Sequence, residues 1–383
     1  MFASVAAFEW KFQVKSPVFW VGVLLFFLLA FGATTVDTIQ IGSRGNVNVN
    51  SPYALLQTVG IMGIFAIFVV VAMVAGPVLR DDETGFAPIL RSTRLGKGAY
   101  LGGRVVGALA AALLVLAAVP AAVAIGAQMP WLDAEKVGPF RPYDLVYAVF
   151  LYALPTLLVT GAGFFALATA TRSMMWTYVG AVALLVLFTV SRIWLRDVQH
   201  DTLSALSDPF GVAALQIVTK YWTASDRNTL LPPMTGLLLA NRLLWTAIAA
   251  LLFAVAWRGF RFETRSRAGA ASKAEPAEVA PAAPLPGALP APSFGAATSR
   301  SQLLALARFD MAFVFRSPAF FVLLFIGVIN GFGGSWYVGE WYGSHSVPVT
   351  RLMVQAMQGA FTFMPMLVAV YYGGELVWRD RER

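Results

Sequence analysis

The chain has two histidines, His200 and His345, and neither sits in a pattern that does chemistry. No HExxH pair that would hold a zinc ion occurs, and no GxSxG elbow that would expose a nucleophilic serine. Cysteine is absent, which excludes thiolate nucleophiles, thiolate metal sites and disulfides. The one glycine-rich basic stretch, Arg94 to Ala99 (RLGKGA), lacks the glycine spacing with which a P-loop wraps phosphates, so ATP hydrolysis by that route is not expected. No catalytic residue, metal ligand or cofactor is assigned.

Two polar segments remain as candidate sites. The first runs from Arg80 to Arg104, with charge at both ends and an apolar centre. Its candidate residues are Arg80, Asp81, Asp82, Glu83, Thr84, Gly85, Phe86, Leu90, Thr93 and Lys97. At helical spacing Phe86, Ile89 and Leu90 share one face, suited to a partner's groove or to a membrane surface. The plainer reading is a solvated loop whose basic residues only set topology.

The second segment holds Asp208, Phe210, Trp222 and Arg242, candidates for an outer gate or substrate path. Asp208 suits a helix N-cap, with Phe210, Ala214, Ile217 and Tyr221 on one face of a short helix that either dips into the outer leaflet or packs on the bundle. Arg242 lies near the start of an apolar run, where it either snorkels to the interface or faces a cavity and meets an anionic substrate.

The elements that must position these residues are membrane helices. Of 383 residues 58% are hydrophobic and 13% charged, about half the charge of an ordinary soluble domain, and the mean hydropathy is +0.70. A helix needs about 20 residues to cross the hydrocarbon core. Eight runs of that length are predicted: Val18 to Val36, Leu55 to Leu79, Val105 to Ala127, Leu145 to Ala170, Trp176 to Leu195, Gly236 to Trp257, Ala319 to Val338 and Leu352 to Gly374. The strand alternation of a membrane barrel is missing, so the expected fold is an all-α polytopic bundle. The first run is too long for a signal-peptide core and is expected to stay in the mature chain.

The net charge of +8 does not imply nucleic acid, because the basic residues are spread over loops between spans. Most of them fall on one side if the N-terminus is cytoplasmic, which sets the expected orientation.

Residues 263–302 are rich in Ala and Pro and read as a cytoplasmic linker between a six-span module, 1–262, and a second segment, 303–383. That segment opens like the first. Phe8, Glu9, Phe12, Lys15, Ser16, Pro17 and Phe19 match Phe309, Asp310, Phe313, Arg316, Ser317, Pro318 and Phe320 at one offset, and Val78, Arg80, Asp81 and Glu83 match Val377, Arg379, Asp380 and Glu382 at a nearly equal one. An internal repeat is expected, with Arg379, Asp380 and Glu382 as the second copy of the first candidate segment. The stretch before each Ser-Pro mixes aromatics with charges and is expected to lie in the cytoplasmic interface. The second copy stops after two spans, so the natural protein is expected to be longer.

An amphipathic N-terminal segment, a span, an outer loop, a second span, and then RDDETG with Leu90, Thr93, Lys97, Tyr100, Leu101 and Arg104 resembles type-2 ABC export permeases. The resemblance covers essentially all of 1–262 and again 303–383; Arg94 departs from it where many relatives carry proline. It implies a six-span permease half in a bacterial inner membrane, coupled through its first inner loop to a separate cytoplasmic ATPase that binds the ATP. The series Asp208, Pro209, Phe210, Gly211, Tyr221, Trp222, Thr223, Asn228, Thr229, Gly236, Asn241, Arg242 and Trp245 is similar to bacterial proteins in which such a permease is fused to a C-terminal zinc aminopeptidase-like domain. The alternative reading is therefore a membrane anchor for a peptidase domain beyond this chain.

Overall fold

The computed structural model describes residues 1–36, 41–43, 45–84, 86, 89–90, 92–194, 200–260 and 295–317, with scattered helical positions between 320 and 372. The two expected spans of the second segment, with Arg379, Asp380 and Glu382, lie outside the described residues, as do Gly85 and the side chains of Asp82 and Glu83. Among the described residues the chain is helical and contains no strand. It divides into two compact units, Met1–Thr264 and Arg265–Arg383.

The first unit opens with α1 (Phe2–Lys15) and α2 (Pro17–Thr35). Ser16 separates them in an extended conformation, its hydroxyl accepting from Val18 N at 3.3 Å, and Pro17 occupies the first helical position, where its missing N–H costs nothing. The same device starts α3 (Pro52–Phe65), with Ser51 Oγ accepting from Ala54 N at 3.2 Å. The chain then runs through α4 (Ile67–Val70), a π turn (Val71–Ala75) and α5 (Gly76–Glu83). The expected straight second span is thus a broken one, bent by 50° between α3 and the helix that follows.

Next come α6 (Lys97–Gly126), α7 (Pro142–Val146), a second π turn (Tyr147–Ala153), α8 (Leu154–Thr171) and α9 (Met174–Trp194). Short helices α10 (Asp201–Ser207), α11 (Val212–Val218) and α12 (Ala224–Thr229) precede α13 (Gly236–Gly259). Among the described residues four helical stretches are long and apolar enough to cross a bilayer, Pro17–Thr35, Lys97–Gly126, Pro142–Thr171 and Gly236–Gly259, and the bent pair, counted as one span, makes a fifth. Helix α9 covers the expected fifth span with a shorter apolar stretch, Trp176–Leu185. These helices mark a multi-pass membrane protein. Leu24, Leu25, Leu28, Leu243, Leu251 and Val255 are turned outward, as side chains facing lipid are.

Helix α6 is the axis of the unit. Its 30 residues span about 45 Å, more than the hydrocarbon core, so its first turns project beyond the apolar layer. Gly102 and Gly103 meet Phe2 and Val5, Gly107 meets Ala6, Glu9 and Trp10, Gly22 meets Val115, and Gly126 meets Thr34 and Thr35. Helices α1 and α2 therefore follow α6 in the same direction from end to end. The helix expected in the interface is bound along the first turns of α6. Gly107 permits this approach, because a Cβ there would stand 2.5 Å from the Ala6 carbonyl oxygen.

The described helix of the second unit, α14 (Ala296–Arg316), begins ahead of the expected boundary at Leu303, so the end of the Ala/Pro-rich segment is helical. It ends like α1: Ser317 is extended and donates its N–H to Val314 O at 3.0 Å, as Ser16 does to Gln13 O at 2.9 Å.

Candidate functional site

The first candidate segment grows out of a buried ionic cluster at the projecting end of α6. Glu9 is wholly buried; its Oε2 accepts from Arg104 at 2.6 Å and from Arg80 at 2.8 Å, and its Oε1 accepts from Gln13 Nε2 at 2.8 Å. Arg104 turns its other terminal nitrogen to both oxygens of Asp81, at 2.9 and 2.6 Å, and Tyr100 Oη donates to Asp81 at 2.7 Å. Gln13 Nε2 also donates to Met73 O at 3.0 Å, a carbonyl within the π turn, where the regular ladder is interrupted. Arg80 lies over the Phe12 ring at 3.8 Å.

Two carboxylates thus face two guanidiniums with little water access. Burying four charges is costly, and such a cluster persists only when every charge is matched and hydrogen bonded. The fork of Arg104 makes that possible by reaching Asp81 and Glu9 at once. Arg104 Nε alone has no hydrogen-bond partner among the described residues. Arg80 and Asp81 are therefore structural members of a lock that holds α1, α5 and α6 together, rather than freely exposed charges.

Beyond the lock the loop carries the exposed groups. Thr84 Oγ1 bonds back to Arg80 O, and Leu90 N–H donates to Phe86 O at 3.1 Å, one turn of helix as the spacing predicts. The expected single face of Phe86, Ile89 and Leu90 is split, however. Phe86 is 48% and Ile89 61% exposed, whereas Leu90 packs inward on the core. Met1, Phe86, Ile89, Leu90, Thr93 and Leu95, together with Arg94, line an open groove of about 240 Å³. At the far end of the loop Lys97 Nζ donates to Phe260 O at 2.6 Å and ties the start of α6 to the end of α13.

The second candidate segment is a buried clamp. Asp208 caps α11 from a distance: its carboxylate accepts from Phe210 N at 2.8 Å and Ala213 N at 2.6 Å, while Gly211 occupies the cap position at φ 75°, a conformation glycine adopts without strain. Asn241 Nδ2 donates to Ala205 O and Asp208 O, and Asn241 Oδ1 accepts from Arg242 Nε at 2.8 Å. Arg242 reaches Thr156 Oγ1 at 3.0 Å and lies 5.5 Å from the Tyr152 ring. Its side chain is 4% exposed, so the snorkelling orientation does not occur. Among the described residues these partners belong to the chain itself; the cluster pins α10 and α11 to α8 and α13, aided by Trp245 Nε1 donating to Leu206 O at 2.9 Å. The short helix packs on the bundle. Of its expected face, Phe210 and Ala214 are buried, while Tyr221 lies past the helix and is 88% exposed. Trp222 stands apart in the turn beyond α11, half-buried.

The loops at this end are stitched to one another. Asn228 bonds the 46–48 backbone on both sides, Asn50 pairs reciprocally with Gly138, and Arg141 donates to Thr229 O. Hydrogen bonds from the Thr223 hydroxyl and backbone hold the Asp226 carboxyl below its usual range, and the hydrogen bond to Asp201 raises the Lys220 ammonium.

Sequence reasoning singled out Arg80, Asp81, Asp208 and Arg242 as site residues; of their partners it named Glu9 only within the repeat and Tyr100, Arg104 and Asn241 only within the resemblances, and it joined none of Gln13, Tyr152 and Thr156 to either site. Glu9, Gln13, Tyr100 and Arg104 complete the first cluster, and Asn241, Tyr152 and Thr156 the second. The available signal was charge at the edge of apolar runs, as at Arg104 and Arg242.

No family model matches the chain, and no curated protein matches it. The fold and the two clusters define a class, a multi-pass membrane protein, helical throughout its described residues, with a locked polar cluster at each end of the bundle of its first unit.

Proposed function

We propose that this chain is the transmembrane permease component of an ABC-type transporter, coupling ATP hydrolysis by a separate ATPase to export or membrane remodelling. In this reading it lies in a bacterial cytoplasmic membrane with its N-terminus inside, a six-span half followed by the opening of a second repeat. The observation that carries it is the loop between α5 and α6. Two exposed apolar side chains, Phe86 and Ile89, line an open groove, and both ends of the loop are anchored, through Arg80 and Asp81 on one side and Lys97 on the other. A loop with a sticky tip and a rigid stem can pass a partner's movement to α1, α5 and α6; a merely solvated loop needs neither feature. The matching Ser16 and Ser317 joints support the repeat.

The absence of native cysteine makes the test clean. Ile89→Cys carrying a photo-crosslinker, irradiated in native membranes, is expected to capture a protein that binds ATP. Capture of lipid alone would count against the reading.

A further inference from the structure

We propose that the outward face of α1 binds anionic phospholipid headgroups. Phe8, Lys11, Phe12 and Lys15 follow the i, i+3, i+4, i+7 spacing of one helical face, and all four are exposed, with the Phe8 and Phe12 rings stacked at 6.4 Å. The helix's one acid, Glu9, points the other way and is neutralised by Arg80 and Arg104. By sequence α1 carries mixed charge; by structure its exposed side carries two cations and two aromatic rings and no acid.

Position selects the occupant. Lys15 is followed by Ser16 and then by α2, whose exposed Val18, Trp20, Val21 and Leu24 face hydrocarbon. The Phe8 to Lys15 face is therefore continuous with a lipid-facing surface and lies at its edge, at headgroup depth. Aromatic rings settle there, and ammonium groups there meet phosphate. A zwitterionic headgroup carries its own cation beside the phosphate, so the preference falls on lipids with net negative charge, by about fivefold per lysine.

The test is the lipid retained by the full chain after extraction from vesicles of phosphatidylcholine with a minor fraction of phosphatidylglycerol. The wild-type protein is expected to retain phosphatidylglycerol above its bulk fraction, and Lys11→Gln with Lys15→Gln to lose that excess. Lys11→Arg with Lys15→Arg keeps it, and Lys220→Gln, which removes a cation paired with Asp201 at the other end of the unit, leaves it unchanged. Both lysines are exposed, so these variants keep the fold. Equal enrichment in the wild-type and glutamine proteins would overturn the proposal, as would an acidic protein, rather than lipid, recovered on this face from native membranes.

Discussion

Arg104 and Glu9 are 95 positions apart in the chain and meet at 2.6 Å, one 5% exposed and the other fully buried. Neither could remain at that depth without the other. Because Glu9 rides on α1 and Arg104 on α6, their pairing fixes the N-terminal helix to the axis of the bundle and completes the stem from which the 84–96 loop projects.

Removing one member of this cluster leaves an uncompensated buried charge. Arg104→Ala is expected to destabilise the protein by about 3–5 kcal/mol. Arg104→Lys recovers only part of that loss, since an ammonium group cannot fork to two carboxylates. Thermal unfolding in detergent measures both; equal stability of Arg104→Ala and wild type would remove the lock from the account.

The seam between α1 and α6 depends on the missing side chain at Gly107, where any Cβ would press on Ala6 and Glu9. Gly107→Leu is expected to cost about 1–3 kcal/mol and to speed tryptic cleavage at Lys11 and Lys15 as α1 lifts away. Unchanged cleavage would mean that α1 is held by other contacts.

These clusters explain which parts of the fold were legible in the sequence. Long apolar runs marked Pro17–Thr35, Pro142–Thr171 and Gly236–Gly259 within a few residues, because such stretches have one stable environment. The start of α6 was placed at Val105 rather than Lys97, because hydropathy counts Lys97 and Arg104 as costs and cannot see Phe260, Asp81 and Glu9 compensating them from elsewhere. The burial of Arg242 is hidden from hydropathy for the same reason: its partners Tyr152, Thr156 and Pro209 come from other elements. The bend in the second span leaves no proline signature at its break, and apolarity alone does not predict it.

At the other end of the bundle, Asn241 satisfies two buried carbonyls and orients Arg242. Asn241→Leu leaves those carbonyls unpaired, at about 1–3 kcal/mol each. Chemical denaturation should show the loss, and proteolysis near α10 should increase. If stability is untouched while transport changes, the cluster is a substrate site and not a clamp.

The Thr223–Asp226 capping box gives a pH signature. Its carboxyl is held below the ordinary value of 3.8, so its contribution is present above that value and is lost as pH falls through the lower, folded one. Amide exchange of α12 is expected to accelerate on the acid side of about pH 4 in the wild-type protein. In Asp226→Asn that acid-side change should be absent. Identical profiles would show that the cap does not titrate.

In the proposed function the 84–96 loop conveys the work of an ATPase to the bundle. The most direct measurement is the ATP hydrolysis that co-purifies with the chain from membranes, compared between wild type and Phe86→Glu with Ile89→Glu. Both residues are exposed, so the double variant keeps the fold, and the account predicts that co-purifying hydrolysis falls about tenfold or more, as when the central contacts of an interface are broken. Equal hydrolysis in the two preparations, or none in either, would contradict it.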